Sequence, residues 1–295
     1  MFLFEAISDY LLEQRVRGNS KATVADYQIK LARFQCFVDF HCEVSDLSVS
    51  LCKAYYQYLV DSLDNSITVQ SYIRSLRAFL NWLYQENIIS TDICHKFKLP
   101  KARKNYINIL TDAEILSIFE CFPDGCNSIH LRNRVIISLM LDCGLRLDEV
   151  VTASRDNLHL KERYLIVTGK GNKQRAVSFG QTTYRFIRDY LKFTNPRASP
   201  LLCCSDGSAL TRSAIKNLFR RLKVQSGVSR LHPHLLRHTF ATRYLENGGE
   251  IHNLKALLGH TTLKQTQQYL HIASTRIQRD FDLYSPLDKI KKAKP

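Results

Sequence analysis

Apolar residues recur at helical spacing four times in the first 90 positions. The first stripe, Phe4, Ile7, Tyr10, Leu11 and Val16, predicts a helix from Phe2 to Val16. Asn19 and Ser20 offer caps for a second, striped by Val24, Tyr27, Leu31, Phe34 and Phe37. A third spans Leu47 to Leu63, and Ser66 caps a fourth that runs to Tyr84. Its apolar positions are Val69, Tyr72, Ile73, Leu76, Phe79, Leu80 and Leu83, while Arg74 and Arg77 either reach phosphates or stand in solvent. Periodicity then fails from Ile89 to Tyr106, where Pro100 interrupts a basic run. The chain therefore divides into a helical domain (1–90), a basic linker (91–108), a second domain (109–272) and a C-terminal segment (273–295).

Thr111-x-x-Glu114 is a capping box that opens the second domain. Ala113 to Phe122 and Ile129 to Leu141 read as helices, Asp142-Cys143-Gly144-Leu145 breaks the pattern, and Arg146 opens a short helix buried through Leu147, Val150 and Val151. Alternation replaces helical spacing only once. Asn157 to Leu160, Tyr164 to Thr168 and Ala176 to Phe179 predict a small antiparallel sheet, with Gly169-Lys170-Gly171-Asn172 as a hairpin turn. Lys170 at the tip, with Lys173 and Arg175 behind it, is either a solvated turn or a cation on a mobile arm. Helices follow at Thr183 to Phe193 and Thr211 to Val224. In the latter, Ile215, Leu218, Phe219 and Leu222 line one side and Arg212, Lys216, Arg220, Arg221 and Lys223 the rest. That basic face suits solvent and a nucleic-acid groove about equally.

From His232 to Tyr269 the chain holds more reactive side chains than packing requires. Pro233 starts a helix with Leu235, Leu236, Phe240, Ala241 and Leu245 buried. Asn247-Gly248-Gly249 breaks it, Ile251 to Leu258 is a second helix closed by Gly259, and Thr262-x-x-Gln265 caps a third that carries Tyr269. His234 and Arg237, three apart, share a helix face. His260 follows the Gly259 stop, and Tyr269 lies nine residues further on. Any one of these alone reads first as a solvated histidine or a packed tyrosine. The ordered set H-x-x-R, L-G-H and Y is far more specific.

Composition adds a partner. Residues 1–100 carry 10 Lys and Arg against 11 Asp and Glu, whereas residues 101–295 carry 32 against 16. So lopsided an excess points to a polyanion, most simply nucleic acid, or to a solubilising surface. Nine cysteines without paired spacing read as reduced, mostly buried residues, and no metal site is expected. No apolar run approaches the ~20 residues that cross a bilayer. The acidic, amphipathic start is no secretion signal, so a cytoplasmic location is expected.

Arg146, Lys170, His234, Arg237, His260 and Tyr269 together suit attack on a phosphodiester. Two arginines can clamp the non-bridging oxygens in a fork, and a ring N–H of His260 adds a third donor. Preorganised donors of this type contribute about 2.7–4 kcal/mol each. A tyrosine phenol ionises near pH ~10, so it needs neighbouring cations and a base, here His234. Lys170 is the natural acid for the departing sugar oxygen. With arginines and a lysine supplying positive charge, neither metal nor cofactor is needed.

GLRLDEV around Arg146, VTGKGNKQR around Lys170, HPHLLRHTFAT around His234 and Arg237, LLGH ending at His260 and TQQY ending at Tyr269 resemble the tyrosine recombinase (phage integrase) family, particularly its two-domain Xer-type members. Order and spacing agree over roughly residues 110–275. The resemblance implies a mainly α fold with a small antiparallel β-sheet. It implies a two-domain clamp on duplex DNA, a helical core-binding domain joined to a catalytic domain. It also implies attack by Tyr269 to give a 3′-phosphotyrosyl linkage and a free 5′-hydroxyl, with no ATP consumed. Strand exchange would proceed through a Holliday junction in a tetramer on two DNA sites, with the C-terminal segment docked on a neighbouring protomer. Arg74, Arg77, Lys173, Arg175, Arg212, Lys216 and Arg220 are the expected further DNA contacts. A type IB-like topoisomerase shares the chemistry but rejoins the same strand, and a non-enzymatic DNA-binding regulator would share only the fold.

Overall fold

The four amphipathic stretches at the start fold into α1 (Leu3–Val16), α2 (Lys21–Val38), α3 (Val49–Ser62) and α4 (Ser66–Gln85). They are seen in a computed structural model that describes residues 1–39, 41–97, 108–123, 127–169, 172–195, 198–204, 206–260, 262–263 and 266. The chain splits into two units, Met1–Tyr106 and Ile107–Pro295.

In the first unit the apolar face of α4 (Val69, Ile73, Leu76, Phe79, Leu80, Leu83) is buried against α1, α2 and α3. Each such side chain withdrawn from water stabilises the fold by about 1.5–3 kcal/mol. Tyr10 centres an aromatic cluster, its ring 5.5 Å from those of Phe79 and Trp82 and 5.4 Å from Tyr27. Three details differ from the expectations. Phe4 and Val16 lie outside the buried face of α1, which Leu3, Ala6 and Gln14 complete instead. The cap of α4 is Asn65, whose Oδ1 accepts from the N–H groups of Ile67 and Thr68. Within the stretch read as linker, α5 (Ile93–Lys96) forms, and Ile93, Cys94 and Phe97 join the first unit's core. One turn is too short to show a period, so burial of these three was not legible.

The second unit opens as expected. Thr111 Oγ1 accepts from the Glu114 N–H at 3.2 Å, and a Glu114 carboxylate oxygen accepts the Thr111 N–H at 2.8 Å, starting α6 (Asp112–Glu120). Ahead of it, Arg230 donates to the carbonyls of Asn108 and Ile109 and to Glu114, anchoring the unit's first described residues. The central helix is α7 (Ser128–Asp142), buried through consecutive positions 135–140 and therefore apolar on more than one side. Next come α8 (Leu147–Val151), β1 (Leu158–His159), β2 (Tyr164–Thr168), β3 (Gln174–Ser178) and α9 (Gln181–Leu191). The strands pair antiparallel in the order β1-β2-β3, with Leu165 opposite Val177 and Val167 opposite Arg175. The chain continues through α10 (Arg212–Gln225), α11 (Pro233–Glu246) and α12 (Ile251–Leu258). In α10, Ile215, Leu218, Phe219 and Leu222 are the buried side, as their spacing predicts. The expected helix carrying Tyr269, and the C-terminal segment, lie outside the described residues.

Candidate active site

Two tight turns and one helix build the site. The first turn, Asp142 to Leu145, needs Gly144: its φ is +64°, and an added Cβ would fall 2.4 Å from the Phe240 ring. Arg146 follows as the N-cap of α8, where orphan N–H groups already favour an anion. Glu149, three residues on, completes half a capping box by accepting the Arg146 N–H at 2.8 Å. Its other oxygen accepts from Arg146 Nη1 at 3.0 Å, so a single carboxylate sets both the helix start and the arginine. Burial by itself would raise the Glu149 carboxyl. The hydrogen bonds from Arg175, the Arg146 N–H and the two guanidinium charges outweigh it, and the group stays ionised below the ordinary carboxylate range.

The second turn ends α12 at Gly259 (φ +62°) and presents His260. Between the turns runs α11, whose N-cap is the His232 side chain, its Nδ1 accepting the Leu235 N–H at 3.1 Å. Arg237 on this helix is only 5% exposed. It donates to the Gly144 carbonyl in one turn and, at 2.6 Å, to the Leu258 carbonyl in the other. These bonds orient the guanidinium without neutralising it. His260 Nε2 lies 3.3 Å from Arg237 Nη2 and Nδ1 lies 3.0 Å from Thr266 Oγ1. A guanidinium only donates, so Nε2 accepts here and Nδ1 carries the proton.

Cations crowd these imidazoles. Desolvation first, then Arg237, Arg146, Arg175 and His238, push His260 down to about 4. His238, one turn beyond His234, is pushed to about 4 by desolvation and then by His234, His232 and Arg237. His234 is lowered by desolvation, Arg237 and Arg146, and stands exposed at the rim. Arg146, His234, Arg237 and His260 are therefore brought together, as expected from their order in the chain. The ring N–H expected from His260 needs restating. Its inward nitrogen accepts from Arg237, so donation to an anion requires a second proton, which an arriving phosphate favours.

Glu149, His238 and Thr266 were not singled out for the site. The signals were the N3 position after Arg146 and the i+4 position after His234. Lys170 and Tyr269 lie outside the described residues.

Of the further DNA contacts, Lys173, Lys216 and Arg220 are exposed. Arg212 is also exposed and pairs with Asp148 at 2.5 Å. In the helical unit Arg74 is exposed and bonded to Gln70, while Arg77 is half-buried with Nε 3.5 Å from Cys94 Sγ. Arg175 corrects the expectation. It is turned inward, 13% exposed, because it shares the inner face of β3 with Val177, and both of its Nη atoms are engaged by Glu149.

Comparison with known proteins bears on the family and the fold. The chain is 28% identical to tyrosine recombinase XerD of Oceanobacillus iheyensis, over 95% of its own length and 98% of the relative's. It shares the fold of the Tn1549 transposon integrase solved with transposon right end DNA (TM-score 0.75, 19% identity, 95% and 99% covered). It also shares that of a lambda integrase dimer bound to a core site (TM-score 0.74, 18% identity, 91% and 95% covered). The phage integrase SAM-like domain matches residues 2–99 and the phage integrase family model matches residues 108–276. With more than half its residues matched by that model, the chain belongs to the phage integrase family, the tyrosine recombinases.

Proposed function

We propose that this recombinase cleaves and rejoins duplex DNA at a specific site through a 3′-phosphotyrosyl intermediate, without metal or ATP. Arg146 and Arg237 hold the non-bridging oxygens of the scissile phosphate, and His260, once protonated, donates a further hydrogen bond. The phenolic oxygen of Tyr269 attacks phosphorus as His234 takes its proton. The bond from phosphorus to the 5′-oxygen breaks, and Lys170 protonates the departing oxygen. Attack by a 5′-hydroxyl from a partner duplex reverses the step and frees the phenol. The ester conserves the energy of the broken bond. Exchange of the two strand pairs in turn passes through a Holliday junction in a tetramer on two DNA sites, with the protein associated with DNA in the cytoplasm.

One observation carries this reading: Arg237, buried and bonded to carbonyls of both turns, lies 3.3 Å from His260, and with Arg146 it acts on both the His234 and His260 rings. Fixed cations of this kind stabilise charge that develops on the phosphate, which is where a phosphoryl transfer needs help. Incubation with a nicked suicide substrate, which loses its 5′-hydroxyl after cleavage, tests it. The wild type forms a covalent protein–DNA adduct in EDTA, and Tyr269→Phe forms none. An adduct in the Phe variant would place the nucleophile elsewhere.

A further inference from the structure

Resting on that reading, we propose that Arg175 is a positioning residue for strand cleavage. Its guanidinium ties Glu149, and through it Arg146, to the turn that carries His260. A basic residue in a basic hairpin would ordinarily face DNA, but strand register decides otherwise. Opposite Arg175 across the ladder is Val167, which is buried, and the next residue on the same face of β3 is the buried Val177.

Each guanidinium nitrogen then has a protein acceptor. Nη1 and Nη2 meet the two oxygens of Glu149 at 2.7 and 2.8 Å, a bidentate fork. Nε donates to the Leu257 carbonyl at 2.7 Å, at the end of α12. A Cβ on Gly259 would lie 3.1–3.2 Å from the Arg175 side chain, so the guanidinium packs directly under the residue before His260. Glu149, 2% exposed, passes the constraint on to Arg146 by accepting both its N–H and its Nη1. The result is a continuous path from Leu257 through Arg175 and Glu149 to Arg146. Arg237 spans the same two turns through Gly144 and Leu258. Two arginines thus brace the turns that present the phosphate ligands: Arg237 within the site, Arg175 from beneath it. The fork fixes the guanidinium against Glu149, while its charge still acts on His260. A lysine keeps the charge but cannot reach both carboxylate oxygens and a carbonyl at once.

Single-turnover cleavage of the suicide substrate at saturating DNA separates the roles, because its rate constant does not depend on the fraction of active protein. Arg175→Lys should lower that rate constant by about 10²-fold, the cost of a small misplacement of reacting groups. Its DNA affinity should stay within about threefold of wild type, a loss of rate without a loss of binding. A matching fall in affinity, or a shallower salt dependence of binding, would make Arg175 a phosphate contact and overturn the proposal. An unchanged rate would overturn it as well. Should the Lys variant fail to fold, Glu149→Gln decides: it leaves the side chain's shape and weakens the fork, and it should show the same split. Absence of an adduct in the wild type would instead count against the phosphotyrosyl reading.

Discussion

His238 and His260 show how far neighbours govern a side chain. Both are pushed to about 4 by desolvation and by nearby positive charge, whereas an unfolded histidine titrates near ~6.5. As the pH falls through that unfolded value, the unfolded chain binds protons that the folded chain refuses until about 4. Stability should therefore drop across this window. Urea midpoints at pH 7, 6 and 5 measure it, and His260→Asn should show a shallower fall than wild type; parallel slopes would show that His260 does not contribute. Glu149 acts in a lower window. Its carboxyl is held below the ordinary range, so its contribution is complete above about 4.3 and disappears as the pH falls through the lowered folded value. Legibility at this scale was uneven. Arg146, His234, Arg237 and His260 could be read because their residue types are expensive to place together for packing alone. Arg175 could not, since charge does not say which face of a strand a residue occupies. Glu149 could not either, because its work depends on Arg175 arriving from 26 residues away.

The elements owe their positions to turns more than to propensity. Gly144 lets α7 end and α8 begin within a few residues, and it sits against Phe240 and Leu258. Gly144→Ala should cost about 1–2 kcal/mol for the left-handed backbone and about 1–3 kcal/mol for overpacking. Denaturant unfolding reads that sum, and a variant within about 0.5 kcal/mol of wild type would mean the turn relaxes freely. Adduct formation should fall with it, because Arg146 begins two residues later. Helices with full amphipathic stripes were legible to within a few residues, α4 and α10 above all. The failures share a cause: α5 and the cap of α4 depend on what lies beside them, which periodicity does not report. Asp142 is a similar case. It ends α7, yet its carboxylate accepts the Gly180 N–H and the Thr183 hydroxyl at 2.8 and 2.6 Å, securing the start of α9 from a distance.

For the whole molecule, charge is the governing quantity. The excess of Lys and Arg lies beyond residue 100, and α10 carries part of it on an exposed face with Lys216 and Arg220. If these two meet phosphates, each alanine substitution should make the slope of log K against log[salt] less negative by about 0.9. Fluorescence anisotropy over a salt series provides the measurement. An unchanged slope would leave the α10 face to solvent, and DNA contact would then rest on other basic residues. Arg175→Lys serves as the internal contrast, since an inward guanidinium predicts no change in slope.

By itself the sequence determined the helical architecture, a small antiparallel sheet, the separation of a near-neutral first unit from a basic second one, and the family through the order of its reactive residues. These are local or additive properties, written in spacing, turn residues and summed charge. Which cations gather at the two glycine turns and which is turned inward onto a buried carboxylate was decided only by tertiary structure. Strand register, the two glycine turns and a buried carboxylate bring residues distant in the chain within hydrogen-bonding distance, and only at that distance does an arginine's role become defined.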